Sequence, residues 1–182
     1  MNQKRTYWIS VAFLLFCMVT SYIFYRVQQN NFQVITPGEA YRSAQPGTQQ
    51  LESYIRKYGI RSVINLRGKN KDAQWYQDEI TVSKTYALAH YDVALVSTQE
   101  PTEEDIRTLF HIFESAPRPV LIHCQFGADR TGLVAAMWKT YVDREPQKVA
   151  GRQLSLLYGH LPFGKRYAMD RFFRDWSSSY HY

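Results

Sequence analysis

The sequence predicts an α/β domain in which helices flank a central sheet, preceded by one apolar N-terminal helix. Short apolar runs of strand type alternate with amphipathic helical patterns, as expected where helices cover a sheet. The 182 residues, 45% of them hydrophobic, suffice for one domain with a substantial core. A separate uncharged run of eighteen residues occupies positions 8–25.

The uncharged run predicts a transmembrane anchor over residues 7–25, because about 20 apolar residues span a bilayer as a helix. A cleaved signal peptide and a buried core helix are the alternatives, and no small-x-small pair marks a cleavage point. Lys4 and Arg5 precede the run, whereas only Arg26 follows it closely. The positive-inside rule therefore predicts a cytoplasmic N-terminus at 1–6 and a catalytic domain beyond the membrane, periplasmic in a Gram-negative bacterium.

After the anchor, residues 26–33 are predicted as a polar tether, 34–176 as one folded domain and 177–182 as a tail. Apolar periodicity predicts a first domain helix that ends at Gly59. A threonine followed by three acids predicts another helix start at Thr102. The further predictions are a turn at 41–43, strands at 60–66 and 119–123, an extended segment at 86–96, and helices at 72–84, 131–142, 147–158 and 165–176.

The segment HCQFGADRTG joins the strand at 119–123 to the helix at 131–142. Such a turn points backbone N–H groups into one concavity, and the positive end of the helix dipole adds to the field. This favours an anion, and it favours a cysteine as the thiolate, so Cys124 is the predicted nucleophile. The other cysteine, Cys17, lies in the uncharged run, so Cys124 is predicted to be a free thiol.

The other residues of this turn suit phosphoryl transfer. The planar fork of Arg130 can hold two phosphate oxygens. Gly127 lets the backbone turn toward the phosphate, Thr131 offers a hydroxyl close to the sulfur, and His123 can orient the loop by hydrogen bonding to the backbone. The predicted phosphate-binding residues are Gln125, Phe126, Gly127, Ala128, Asp129 and Arg130. Together they predict transfer of a phosphoryl group to sulfur and its hydrolysis, with no metal or organic cofactor.

These residues resemble the signature of the cysteine-dependent phosphatase superfamily, which is Cys, five residues, Arg, then Ser or Thr. More closely, the chain is similar to the compact dual-specificity-like phosphatases of bacteria. The similarity covers roughly residues 34–176 and lies in four stretches: YRSAQP at 41–46, SVINLRG at 62–68, HCQFGADRTG at 123–132 and LLYGHLPF at 156–163. It implies the dual-specificity phosphatase fold and a phosphoric monoester hydrolase.

The general acid that protonates the leaving group is open between two aspartates. Many relatives supply it from a mobile loop about thirty residues before the cysteine, which points to Asp92, while the acids at 100–105 suit a helix start instead. Asp129 lies inside the loop, where phosphatases of phosphoinositides and some bacterial relatives carry an aspartate with a proposed acid role. We expect Asp129 to be the acid before Asp92; a carboxylate that only braces the loop is the alternative for Asp129.

Sequence and resemblance together predict a membrane-anchored phosphatase. Its substrate is a phosphotyrosine or phosphoserine/threonine protein, a phosphorylated lipid, or a soluble inositol or nucleotide phosphate. The net charge of +6 does not demand a nucleic-acid partner. The alternatives are a non-catalytic phosphate-binding module and a sulfurtransferase or reductase that uses Cys124, the latter disfavoured by the Arg-Thr pair at the loop end.

Overall fold

A computed structural model describes residues 3–28 and 30–179. The predicted N-terminal segment, tether and tail include residues 1, 2, 29 and 180–182, which lie outside the described residues. In chain order the elements are α1 (Gln3–Gln28), β1 (Gln33–Thr36), β2 (Ala40–Ser43), α2 (Thr48–Tyr58), β3 (Ser62–Asn65), α3 (Gln74–Thr85), β4 (Ala89–Asp92), α4 (Glu103–Ser115), β5 (Val120–His123), α5 (Asp129–Tyr141), α6 (Gln147–Ala150) and α7 (Ala168–Ser179). Short 3-10 turns lie at 151–153, 156–158 and 164–167.

The five strands form one mixed sheet in the order β1-β2-β5-β3-β4, in which β1 is antiparallel to β2 and the other neighbours are parallel. Ser43 and Asn65 pair with His123 from either side, and Asn65 also pairs with Asp92. The carboxyl ends of four strands therefore meet at one edge of the sheet. The predicted α/β fold with a central sheet and flanking helices is confirmed.

Helix α5 is the central helix of the fold. Its residues 133–138 are all fully buried, in a core that also contains buried residues of β3, β5, α4 and α7. An added Cβ at Gly132 would lie 2.9 Å from the carbonyl oxygen of Gln153, so glycine permits close approach of the chain there. This packing fixes the amino-terminal end of α5, and with it the loop that joins β5 to α5.

Local signals placed two helix boundaries correctly. Helix α2 ends at Gly59, which has a left-handed φ of 67°. Helix α4 begins after Thr102, whose hydroxyl accepts a hydrogen bond from the amide of Asp105, while the Asp105 carboxylate accepts one from the amide of Thr102. The predicted stops and starts are confirmed where the sequence supplies a capping residue.

Other predicted elements differ from the structure. The expected turn at 41–43 belongs to β2, because its residues are buried and pair with both neighbouring strands. The expected helix at 147–158 breaks into α6 and two 3-10 turns; the second of these ends at Gly159, which adopts a left-handed φ. Of the extended segment predicted at 86–96, only β4 (Ala89–Asp92) is a strand, because only these residues pair with β3.

The predicted membrane anchor is wrong. In the part of the chain that the structure describes, no helix combines the length and the apolar character that crossing a bilayer requires. The prediction for 7–25 counted uncharged residues, yet Ser10, Thr20 and Ser21 and the polar groups of tyrosine and tryptophan reduce the apolar character of α1. The single-pass topology, with 1–6 in the cytoplasm and the domain beyond the membrane, is withdrawn with it.

Candidate active site

The loop between β5 and α5 holds Cys124, which is 3% exposed and is a free thiol. None of the amides of residues 125–128 donates to an acceptor among the described residues. The first amides of α5 also lack intrahelical acceptors, as at any helix start. The loop therefore presents a set of N–H donors beside the sulfur, which is the arrangement expected of an anion cradle.

The carbonyl groups of the loop are held from the opposite side. The Asn31 side-chain amide donates to the carbonyl oxygens of Phe126 and Gly127, each at 3.0 Å. The Arg42 guanidinium donates to the carbonyl oxygen of Gly127 at 2.9 Å and to that of Ala128 at 3.4 Å. Because the carbonyl and N–H of a trans peptide point in opposite directions, these bonds direct the loop amides toward the cradle.

Arg42 is thus a structural residue. It is fully buried, its Nη1 donates to the backbone and side-chain oxygens of Gln153, and its guanidinium stacks 4.1 Å from the ring centroid of Tyr158. All these contacts lie behind the loop. The sequence predicted this arginine as part of a turn that packs against the sheet, with substrate contact as the alternative. In the structure it holds the carbonyl groups of the β5–α5 loop.

Gly127 is required by geometry. Its φ is +65°, and an added Cβ would lie 2.6 Å from the backbone of Ser43 and Ala44. No side chain fits there without moving β2 or the loop. The sequence predicted this glycine from the approach of a phosphate, and the structure shows a further constraint, the backbone of Ser43 and Ala44.

Arg130 lies in the first turn of α5. Its Nη1 donates to the carbonyl oxygens of Leu66, at 3.2 Å, and Leu95, at 3.3 Å. Its guanidinium therefore reaches from α5 to the residue after β3 and to the loop after β4. Thr131, the next residue, is fully buried, and its hydroxyl has no hydrogen-bond partner within the described ranges.

A buried carboxylate contacts His123, the residue before Cys124. Oε2 of Glu79, on α3, lies 3.0 Å from Nε2 of His123 and accepts a hydrogen bond of 2.6 Å from the Gln45 side chain. Its Oε1 is 2.8 Å from Nε2 of His90. Burial alone would raise the pKa of Glu79, but the two histidines outweigh it and lower the pKa to about 2. His123 thus contacts a carboxylate rather than the expected backbone group.

Asp129 is the first residue of α5, and it belongs to a chain of three side chains. Its Oδ1 is 2.7 Å from Nδ1 of His160, and Nε2 of His160 is 2.8 Å from Oδ2 of Asp170. His160 is fully buried. Burial opposes its protonation, but the hydrogen bonds and charges of both aspartates outweigh that effect and raise the pKa of His160. These two aspartates therefore favour the imidazolium form of His160.

Asp92 ends β4 at the same sheet edge. Its Oδ1 accepts a hydrogen bond of 2.8 Å from the Asn65 side chain, and its Oδ2 accepts one of 2.6 Å from the hydroxyl of Tyr76. Burial and the contact with Asp92 raise the pKa of Tyr76, so the phenol stays protonated as a donor. Both oxygens of Asp92 are occupied as acceptors.

A cavity of about 360 Å³ also adjoins the loop. Asn31 and Ala44 line it together with Tyr158, so it lies on the carbonyl side of the loop, away from the amides. Gln125, Phe126 and Ala128 of the loop also line this cavity. Among the described residues, no group of three or more His, Cys, Asp or Glu side chains is arranged to hold a metal ion.

Comparison with known proteins identifies the family of this chain. Residues 24–163 match the PTP-NADK family, described as the DSP-PTPase phosphatase fused to NAD+ kinase. The chain belongs to the PTP-NADK family. The predicted membership of the dual-specificity-like cysteine phosphatases is confirmed, and so is the predicted enzyme class, phosphoric monoester hydrolase.

Individual relatives of this PTP-NADK chain are distant. It is 24% identical over 127 residues to the human dual specificity protein phosphatase CDC14A, an alignment that covers 62% of this chain and 20% of CDC14A. It spans about a fifth of the length of the curated relatives that it matches.

Solved structures share the fold at low identity. P. aeruginosa TpbA in complex with pTyr superposes with a TM-score of 0.61 at 20% identity, over 80% of this chain and 83% of that chain. The core catalytic domain of the S. cerevisiae PP-IP phosphatase SIW14 superposes with a TM-score of 0.61 at 18% identity, over 78% and 85%.

Sequence reasoning missed Glu79, His160 and Asp170. Glu79 lies three residues from both Tyr76 and Val82, which are buried, so it lies on the buried face of α3. An acidic residue in that position of the helical pattern was a signal that could have identified it. His160 lies within the LLYGHLPF stretch, but nothing local relates it to an aspartate 31 positions earlier in the chain.

Proposed function

We propose that the protein hydrolyses phosphate monoesters through a phosphocysteine intermediate. The observation that carries the proposal is the buried Cys124 at the base of a loop whose amides point to one side and whose arginine lies in the next helical turn. An anion cradle around a thiolate fits both binding of the phosphate and attack on phosphorus.

In the first step, Sγ of Cys124 bonds to phosphorus and the ester P–O bond breaks. Arg130 and the loop amides hold the equatorial oxygens, and the departing oxygen takes a proton from a carboxylic acid. In the second step, water attacks phosphorus, the S–P bond breaks and the proton of the water returns to the carboxylate. Inorganic phosphate leaves, and the thiolate is restored.

We propose Asp129 as that acid. Its position inside the loop, at the first residue of α5, supports this role. Asp92 fits less well, because Asn65 and Tyr76 already donate to both of its oxygens. His160 then acts on Asp129 as a positioning residue, and Asp170 orients the imidazole.

The substrate remains one of the predicted kinds: a phosphoprotein, a phosphorylated lipid, or an inositol phosphate. TpbA has been crystallised with phosphotyrosine and SIW14 is a PP-IP phosphatase, so both classes occur on this fold. The proposed chemistry at sulfur is the same for each.

The test is phosphate release from an aryl phosphate by the full chain. Cys124→Ser should abolish turnover, by about 10³-fold or more, yet still bind inorganic phosphate, because only the nucleophile is removed. Cys17→Ser is the matched control and should keep the wild-type rate. If wild type binds phosphate but releases none from any ester, the protein is a binding module; a Cys124→Ser variant that keeps a substantial rate contradicts the phosphocysteine route.

A further inference from the structure

Arg67 lies beside the proposed catalytic centre without being part of the loop. It follows Leu66, whose amide donates to the carbonyl oxygen of His123 at 2.9 Å. The carbonyl oxygen of Leu66 accepts the hydrogen bond from Nη1 of Arg130. The backbone that leads into Arg67 is therefore tied to the residue before the nucleophile and to the arginine of the loop.

The Arg67 side chain is held in one position. Its guanidinium carbon lies 3.5 Å from the ring centroid of Trp75, close enough for a cation-π contact. Its Nη1 donates to Oε1 of Gln45 at 3.0 Å. The backbone N–H of Gln45 donates in turn to the carbonyl oxygen of Gln125 in the loop, at 3.3 Å. Within residues 3–28 and 30–179, Arg67 forms no ion pair with an acidic side chain.

The charge of Arg67 is costly where it lies. Burial and the nearby charge of Arg130 lower the pKa of Arg67, against the opposing effect of Glu79 and Cys124. A second guanidinium group, connected to the loop through Gln45, exceeds what a single phosphate needs, since the loop amides, the α5 dipole and Arg130 already serve it. Lys69, which is exposed two residues further on, adds to the excess of positive charge.

We propose that Arg67, stacked on Trp75 and oriented by Gln45, binds a second phosphate group of the same substrate, on the position next to the scissile ester. The ligand class is a vicinal bisphosphate of a small polyol ring. Such a ring holds its two phosphates at a short, fixed separation, which suits two guanidinium groups held by neighbouring stretches of backbone. The inference rests on the proposed function, because it names the substrate class of that same site.

Two inositol bisphosphate isomers of equal charge provide the test. In myo-inositol 4,5-bisphosphate the phosphates are adjacent, and in the 1,4-isomer they are on opposite sides of the ring. Wild-type full chain should show kcat/KM about tenfold higher for the 4,5-isomer, since one charge-assisted pair contributes at least that much. A wild type that hydrolyses both isomers equally overturns the inference.

Arg67→Gln should reduce the ratio of the two kcat/KM values to about one, and Trp75→Ala should lower it through loss of the stacked platform. Arg61→Gln is the matched control: this exposed arginine precedes the amino end of β3, whereas Arg67 follows the carboxyl end. If Arg61→Gln lowers the ratio as much as Arg67→Gln does, the effect is a general one of charge and the subsite is refuted.

A phosphotyrosine peptide flanked by glutamates tests the competing substrate class. The inference is overturned if Arg67→Gln slows this peptide more than it slows the 4,5-isomer. Failure of the proposed function gives a different result, because then Cys124→Ser would leave hydrolysis of an aryl phosphate intact or wild type would show none. An active, Cys124-dependent enzyme without isomer preference contradicts the second subsite alone.

Discussion

Replacing Glu79 by glutamine removes one buried charge from beneath the proposed catalytic loop while nearly keeping the side-chain shape. The carboxylate is in contact with His90, His123 and Gln45, and its side chain is fully buried. Lowering its pKa from 4.5 to about 2 corresponds to about 3 kcal/mol of stability at pH 7, at about 1.4 kcal/mol for each pKa unit.

The sign follows from the direction of this change. The pKa of Glu79 is lower in the folded state, so its contribution is complete above pH 4.5 and is lost as the pH falls toward 2. At pH 3 about 1 kcal/mol remains. We expect Glu79→Gln to lower the free energy of unfolding by about 3 kcal/mol at pH 7 and by about 1 kcal/mol at pH 3.

Urea unfolding of wild type and variant at the two pH values measures this difference. Asp78→Asn is the matched control, because Asp78 precedes Glu79 on the same helix and bonds only to the exposed Gln74 among its described neighbours. It should change stability by less than about 0.5 kcal/mol at either pH. An equal loss for Glu79→Gln at both pH values would show that the ionised carboxylate is not what stabilises the fold.

Two other outcomes follow from the loop itself. Gly127→Ala should lower the free energy of unfolding by about 1–3 kcal/mol and remove most aryl phosphatase activity, because the added Cβ meets the backbone of Ser43 and Ala44. Gly38→Ala is the control, since Gly38 also has a positive φ but lies in open space, so this variant isolates the cost of the backbone conformation. Equal effects of the two variants in thermal unfolding would contradict the clash. Asp129→Asn should slow alkyl phosphate esters by roughly 10²–10⁴-fold but spare aryl esters with acidic phenols, which leave without protonation. Kinetics with both ester types check this: a uniform loss would identify Asp129 as a brace, and the same selective loss in Asp92→Asn would move the acid there.

Local sequence determined the parts of this protein that depend on neighbouring residues. The loop from His123 to Gly132 could be identified because its chemistry lies in ten consecutive positions between a strand and a helix. Gly59 and Thr102 ended and started helices because their effects act within one helical turn. The alternation of strands and helices predicted the fold class for the same reason.

The N-terminal segment shows where such reasoning failed. The absence of charge, the apolar residues of the run and the aromatic residues at its ends predict a membrane span, but the physical requirement is apolar character over the whole length. In the described residues no helix meets it. Counting charges and measuring apolar character are different tests, and only the second decides whether a helix can cross a bilayer.

Only the tertiary structure decided which distant residues support the loop. Strand order brings Asn65 and Asp92 beside His123, and helix packing brings Glu79 beneath it. His160 reaches Asp129 across 31 positions of the chain, which include α5 and α6. A buried polar group has to find partners wherever the fold places them, because water is excluded, and no local pattern encodes that choice. The sequence was therefore enough to propose Cys124 as the nucleophile, whereas the network that supports its loop depended on packing.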